Sequence, residues 1–348
     1  MNSHASTGAA VVYVSCSVSR EIHSFWLEPT RGTLRPIEVV RVPGSHQAST
    51  GNLPFVLHPS RDWLYVALRA PPYPLTTFGI DRASGKLSEH STIQLEAPPA
   101  YLTVRPDGGA LLGASYSAAI LSVNLIDRGG VVRTPVWQTI RTPPKAHCVI
   151  GSRYHDLVYV TTIEGDAILT YRFDDSGRLT ESTHLATHFR AGRGPRHLVL
   201  HPSLDVLYCL HELDGSVSTL TINRSSGALR EVDAVSLRPS SFSGEAKAAE
   251  IRVTRNGRFL YASERRSHLL SAFSVDQNSG VLTLIDRYQV EASPRSFAIS
   301  PDDLHLVCAG QDSDMVGVYS IDAENGRVSR LSQISVASKP NWVEIVRE

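Results

Sequence analysis

The 348-residue sequence predicts an all-β fold: a seven-bladed β-propeller of four-stranded antiparallel blades, its ring closed by the C-terminal strand joining the first blade. Three observations predict it. A short apolar strand recurs at offsets of 52, 47, 47, 49, 53 and 46 residues, as VYVSCS from Val12, LYVALR from Leu64, LLGASY from Leu111, VYVTTI from Val158, LYCLHE from Leu207, LYASER from Leu260 and LVCAGQ from Leu306. Each copy is followed by a turn ending in glycine, at Gly32, Gly85, Gly130, Gly177, Gly227, Gly280 and Gly326. The ends are complementary: the first unit begins at its second strand, and the chain finishes on an orphan strand, KPNWVEIVRE from Lys339.

In chain order, residues 1–10 read as a disordered tail and residues 11–348 as one propeller domain. Most units place another short strand and turn ahead of the apolar one: PFVLHPSRD from Pro54, YLTVRPDGG from Tyr101, HLVLHPSLD from His197, EIRVTRNGR from Glu250 and SFAISPDDL from Ser296. Asp, Asn, Ser and Gly dominate the turns because they tolerate left-handed backbone angles and cap tight hairpins. Helical periodicity is almost absent, and four short strands in a repeat of forty to fifty residues are the pattern of a propeller blade. Lending the last strand to the first blade removes two exposed sheet edges. The least regular stretch, Leu237 to Glu250, is expected to be a long surface loop bringing Lys247 close to the functional rim.

Lys plus Arg and Asp plus Glu are equal at 34 each, so no global charge points to nucleic acid or to a membrane surface. Cys16, Cys148, Cys209 and Cys308 are widely spaced in apolar runs and read as reduced, buried thiols of a cytoplasmic protein. The opening MNSHASTGAA lacks the pattern of a secretory signal, no apolar run is long enough to span a membrane, and the triplet Asn223-Arg224-Ser225 is read as chance. Zinc, P-loop, GxSxG and dinucleotide patterns are missing, since GRGPRH at Gly192 leads into a strand rather than a helix. No cofactor and no metal are expected.

The stretch Gly194 to Leu213, GPRHLVLHPSLDVLYCLHEL, locates the site. Antiparallel pairing returns the end of its second strand to the start of its first, setting Arg196 and His197 beside Glu212 on one rim. The same construction in the other units brings Pro54, Tyr101, His147, Glu250, Arg295, Ser296 and Asn341 from strand starts to that rim. Strand ends add Ser17, Arg69, Tyr116, Ile163, Arg265 and Gln311. Arginines from separate blades facing one channel mouth repel each other unless they hold carboxylates or an anionic ligand. A small anionic ligand is therefore expected.

These residues also carry a resemblance. PKAHCV around His147, GPRHLVLHP around Arg196, LHEL around Glu212, AEIRVTRNGRFLYASER through Arg265 and PRSFAISPDDLHLVCAGQDSDMVGVYSID after Pro294 together resemble the propeller-type 6-phosphogluconolactonase family. The family is related to the fungal 3-carboxy-cis,cis-muconate lactonizing enzyme. The resemblance implies a lactonase of carbohydrate metabolism, in the pentose phosphate pathway, acting on a sugar-acid lactone such as 6-phosphogluconolactone. It implies a catalytic set of His147, Arg196, Glu212 and Arg265, with Glu212 or His147 as base and the arginines as oxyanion donors. Arg69, Tyr116, His197, Lys247, Glu250, Arg295 and Gln311 are the expected substrate-binding residues, and a monomer or weak homodimer is the expected assembly. The sequence departs from the family pattern at GSRYHD from Gly151, TRNGR from Thr254 and APPYPL after Arg69. Two other readings keep the fold: a muconate-type lactonizing enzyme, and a non-catalytic docking propeller. A calcium-dependent lactonase is disfavoured by a mouth of His and Arg.

Overall fold

The computed structural model describes residues 10–47, 51–154 and 156–347. Among them, seven antiparallel sheets follow one another round a ring, each with its strands in simple meander order. The inner strand is the one nearest the axis, and blades are numbered along the chain. Blade 1 takes its inner strand from the C-terminus: Pro340–Arg347 pairs with Ala10–Cys16, in a register running from Ala10 opposite Arg347 to Cys16 opposite Pro340. Closure thus occurs as the chain ends predicted. The strand also takes in Ala10, assigned to the tail by the sequence reading, which is buried and lies opposite Leu27. Residues 1–9 fall outside the described residues.

The repeat is legible in the packing because each blade is a thin sheet that buries both faces against its neighbours. Seven apolar clusters result, one in every gap between adjacent blades; Val12, Val14, Val307 and Val318 fill the gap between blades 7 and 1, for example. The recurring tyrosine and the recurring glycine turn interlock across these gaps. The hydroxyls of Tyr13, Tyr65, Tyr159, Tyr208 and Tyr261 donate to the carbonyls of Gly85, Gly130, Gly227, Gly280 and Gly326 in the next blade, at 2.7–3.0 Å.

Blade 3 has Leu112 where those blades have tyrosine, and on the side away from the mouth a groove of about 510 Å³ opens between blades 3 and 4. Both arginines lining it are already engaged: Arg105 is paired with Asp107 at 3.2 Å and stacked over Phe173, and Arg153 donates to the His201 carbonyl. The groove is therefore not where the charged site residues gather. Blade 4 has an element the sequence did not announce: a 3-10 turn at Thr183–Leu185, followed by Thr187–His188 pairing with the third strand. The expected loop at Leu237 to Glu250 is shorter than its composition implied. Leu237 is buried, and the inner strand of blade 6 already begins at Ala248. Arg238 braces the remainder by donating to the Gly244 carbonyl at 2.9 Å.

Candidate active site

The mouth is built by a repeated irregularity of the inner strands. In blade 5, Pro195 lies opposite His211 but His197 lies opposite Leu210, so Arg196 is an extra, bulged residue. Arg295 occupies the same position between Pro294 and Ser296 in blade 7, and Asn341 lies at the corresponding shift in blade 1. The shifts in blades 4 and 6 span His147 and Glu250. A bulge bends its strand and re-aims a side chain, here at the end of the strand where the axial channel opens. Glu212 and Arg265 immediately follow the second strands Val206–His211 and Phe259–Glu264, so the hairpin returns them to the same end.

Glu212 is the centre of the cluster. Its Oε2 accepts from Arg196 Nε at 2.9 Å and its Oε1 from Arg265 Nη2 at 3.0 Å. Arg196 also donates through Nη1 to the Ala249 carbonyl, and Arg265 through Nε to the Lys247 carbonyl at 3.0 Å. Arg196 is thereby held by two partners and Arg265, whose Nη2 also donates to the Ala248 carbonyl at 3.4 Å, by three, although the two guanidiniums repel one another. Burial pushes the Glu212 carboxyl up, but Arg196, Arg265 and Arg295 outweigh it and hold the group below the usual carboxylate range. Burial and the nearby Arg196 bring Arg265 down to about 10.

Arg295 has no hydrogen-bond or carboxylate partner of its own among the described residues. Its charge is disfavoured first by burial, then by Arg265 and Arg196, with Arg69 adding to the repulsion. Arg69 donates to Asn52 Oδ1 at 2.7 Å, and Lys247 is depressed chiefly by Arg265 and by burial. Several cations therefore surround a carboxylate already shared by two of them. Excess positive charge of this kind, partly withdrawn from water, is unfavourable unless it is countered.

His147 is almost fully buried at the same level. Burial first, then Arg196, His197, Arg295 and Arg69, depress its pKa well below the ordinary imidazole value, so it is neutral. Tyr116 stands edge-on to its ring at 6.1 Å and also carries the Lys145 ammonium over its own face. Gln311 lies on the far side of the mouth, where its Nε2 donates to the Gly51 carbonyl at 3.1 Å. Ile163, among the rim positions, is apolar and buried.

Two of the expected substrate-binding residues lie one step deeper. His197 Nδ1 and Glu250 Oε1 are 3.0 Å apart with both side chains buried, and the Tyr101 and Trp342 rings lie 5.1 and 6.3 Å from that imidazole. Residues from blades 3, 5, 6 and 1 meeting in this way mark the axis. His197 is brought down to about 4 by burial and Arg196, while Glu250 is held at about 2 because Arg252 and His197 overcome its burial. Arg252 in turn pairs with Glu344 at 2.9 Å. The sequence reading missed this pair and also Asn52. Arg252 and Glu344 lie two residues beyond Glu250 and Trp342, where strand alternation returns a side chain to the channel, so the period of two was the available signal.

The comparisons agree with this architecture. A family model described as lactonase, 7-bladed beta-propeller, matches residues 9–345. A 6-phosphogluconolactonase of Sodalis glossinidius is 34% identical over 97% of this chain and 98% of its own length; one of Serratia proteamaculans is 33% identical over the same shares. Among solved structures, a periplasmic gluconolactonase of Pseudomonas aeruginosa superposes with a TM-score of 0.88 at 24% identity, covering 97% of this chain and 99% of that one.

Proposed function

This chain belongs to the seven-bladed β-propeller lactonase family, and we propose that it hydrolyses a sugar-acid lactone, 6-phosphogluconolactone or a related phosphorylated aldonolactone, at the mouth of its channel. The observation that carries the substrate choice is Arg295, a guanidinium that makes no hydrogen bond or ion pair among the described residues, beside a cluster in which the other arginines are already held. Its planar fork suits a phosphate or carboxylate, and Arg69 and Lys247 add charge to the same side.

Hydrolysis adds water across the acyl C–O bond. His147, neutral and set among cations, accepts the proton of the attacking water; the carbonyl oxygen takes up negative charge against Arg196 Nη2 and Arg265 Nη1, the guanidinium nitrogens not engaged by Glu212, Ala249 or Lys247. Collapse breaks the ring C–O bond, and the imidazolium returns its proton to the departing alkoxide, leaving the open hydroxy acid. Glu212 is poorly suited to be the base, because both its oxygens accept from arginines. Its part is to hold the two guanidiniums side by side. The free, buried state of all four cysteines supports the cytoplasm as the place of action, and no helix among the described residues is long and apolar enough to cross a membrane.

A turnover panel of 6-phosphogluconolactone, an unphosphorylated aldonolactone and a carboxymuconate tests the reading. Preference for the phosphorylated sugar lactone is expected. Turnover of the carboxymuconate alone would replace it with lactonizing chemistry, and binding without turnover of any would leave a docking propeller.

A further inference from the structure

Three inner strands are reached through the same device. Gly194, Ser293 and Lys339 have φ of 67°, 56° and 61°, each precedes a proline, and each stands two residues before the shifted Arg196, Arg295 or Asn341. Left-handed backbone is unfavourable for Ser293 and Lys339, so something must hold those two; glycine adopts it freely, and at Gly194 the hold fixes one of several accessible conformations. In every case the holder is a side chain from the preceding blade. Asp166 Oδ1 accepts the Gly194 amide at 2.8 Å and its Oδ2 the Gly192 amide at 2.8 Å. His268 Nδ1 accepts the Ser293 amide at 2.9 Å, and Asp314 Oδ1 the Lys339 amide at 2.8 Å. The holders occupy one position, four residues past the second strands Leu157–Thr162, Phe259–Glu264 and His305–Gly310. All three have positive φ themselves.

We propose that Asp166 is a positioning residue of the active site. It clamps the Gly192–Gly194 turn from blade 4 and so aims the bulged Arg196 of blade 5 at Glu212 and the Ala249 carbonyl. Asp166 makes no contact with Arg196, Glu212 or His147; it acts through two backbone amides. Asp314 is the same clamp on a blade whose bulged residue does no chemistry: Asn341 accepts the Leu53 amide at 3.0 Å and donates to the Lys339 carbonyl at 2.7 Å. The fold thus contains its own control.

The proposal rests on reading the mouth as a lactonase site, and the test separates the two. Full-length D166A, D166N and D314A are compared for kcat, KM and melting temperature on 6-phosphogluconolactone. D166A should lower kcat about 10-fold or more while KM changes less, because displacing an oxyanion donor by a fraction of an ångström weakens the transition state most. D166N keeps one acceptor for the two amides and should recover part of the loss. D314A should melt lower by a comparable amount and keep its kcat. Equal kcat losses in D166A and D314A, or a wild-type kcat in D166A, would overturn the proposal. If D166A does not fold, D166N against D314A carries the same comparison. If the wild type hydrolyses no lactone, the functional reading falls alone. The clamp is then decided by the Arg196 Nε–H proton resonance, expected to be slowly exchanging in wild type and D314A and fast in D166N; an unchanged resonance in D166N refutes it.

Discussion

A carboxylate with an arginine on each oxygen is a scaffold for cations before it is a base, and Glu212 is in that position. Glu212→Gln keeps its shape but removes the charge that lets Arg196 and Arg265 lie side by side; we expect lactonase turnover to fall by roughly 10²-fold, read as kcat on a sugar lactone. A near-wild-type rate would remove Glu212 from the site. Arg295 makes the opposite case, a cation that feels Glu212 but forms no ion pair among the described residues. Arg295→Ala should raise KM for the phosphorylated lactone much more than for its unphosphorylated counterpart. An equal effect on both would assign Arg295 to the reacting carbonyl instead of the anionic tail. His147 and Glu212 could not be ranked as base from sequence, because the ranking depends on which neighbours each one acquires. The structure gives the carboxylate two arginine partners and leaves the imidazole buried and neutral.

At the scale of the element, the blade is a hairpin template with two modifications. The inter-blade tyrosine holds one sheet against the next, and Tyr208→Phe leaves the Gly280 carbonyl short of a buried donor. A loss of about 1–3 kcal/mol is expected in denaturant unfolding, with kcat unchanged, because the contact lies far from the mouth. No loss would mean that water replaces the hydroxyl there. The second modification is the bulge. Sequence reading placed Arg196, Arg295 and Asn341 at strand starts by hairpin logic, yet could not reveal that each is an extra residue in the ladder. A one-residue shift leaves no mark on composition or periodicity, and the prolines before these residues become legible only once the pairing is known.

For the whole molecule, closure and protonation are the global variables. Deleting the chain from Pro340 onward removes the inner strand of blade 1 and exposes the edge of Ala10–Cys16, so cooperative unfolding should be lost; a truncation melting like the full chain would refute closure. Four buried histidines are held below their ordinary 6.5, in each case chiefly through burial: His147 well below it, His197 at about 4, His211 at about 2, and His201 below it as well. Above pH 6.5 folded and unfolded chains hold these groups alike, so they contribute no pH dependence. As pH falls from 6.5 towards 4, the unfolded chain binds the protons and the folded chain does not. Stability should then drop by at most about 1.4 kcal/mol per pH unit for each histidine, and below about pH 5 the depressed carboxylates of Glu212 and Glu250 add to the loss, because the unfolded chain protonates them first. Denaturant unfolding at pH 7, 5.5 and 4.5 measures this, and a flat profile across that range would contradict it.

The sequence by itself determined the ring: seven repeats, their turns, the strand borrowed from the C-terminus, and the presence of His147, Arg196, Glu212, Arg265 and Arg295 at one end of the strands. These depend on local periodicity and antiparallel return, which a chain carries in its order of residues. The tertiary structure decided which charges pair, that Arg295 is left over, that His197 and Glu250 lie deeper on the axis, and that Asp166 reaches across a blade boundary to the turn before Arg196. Those are relations between side chains of different blades. Their energies depend on distance and burial, and neither quantity exists until the ring has closed.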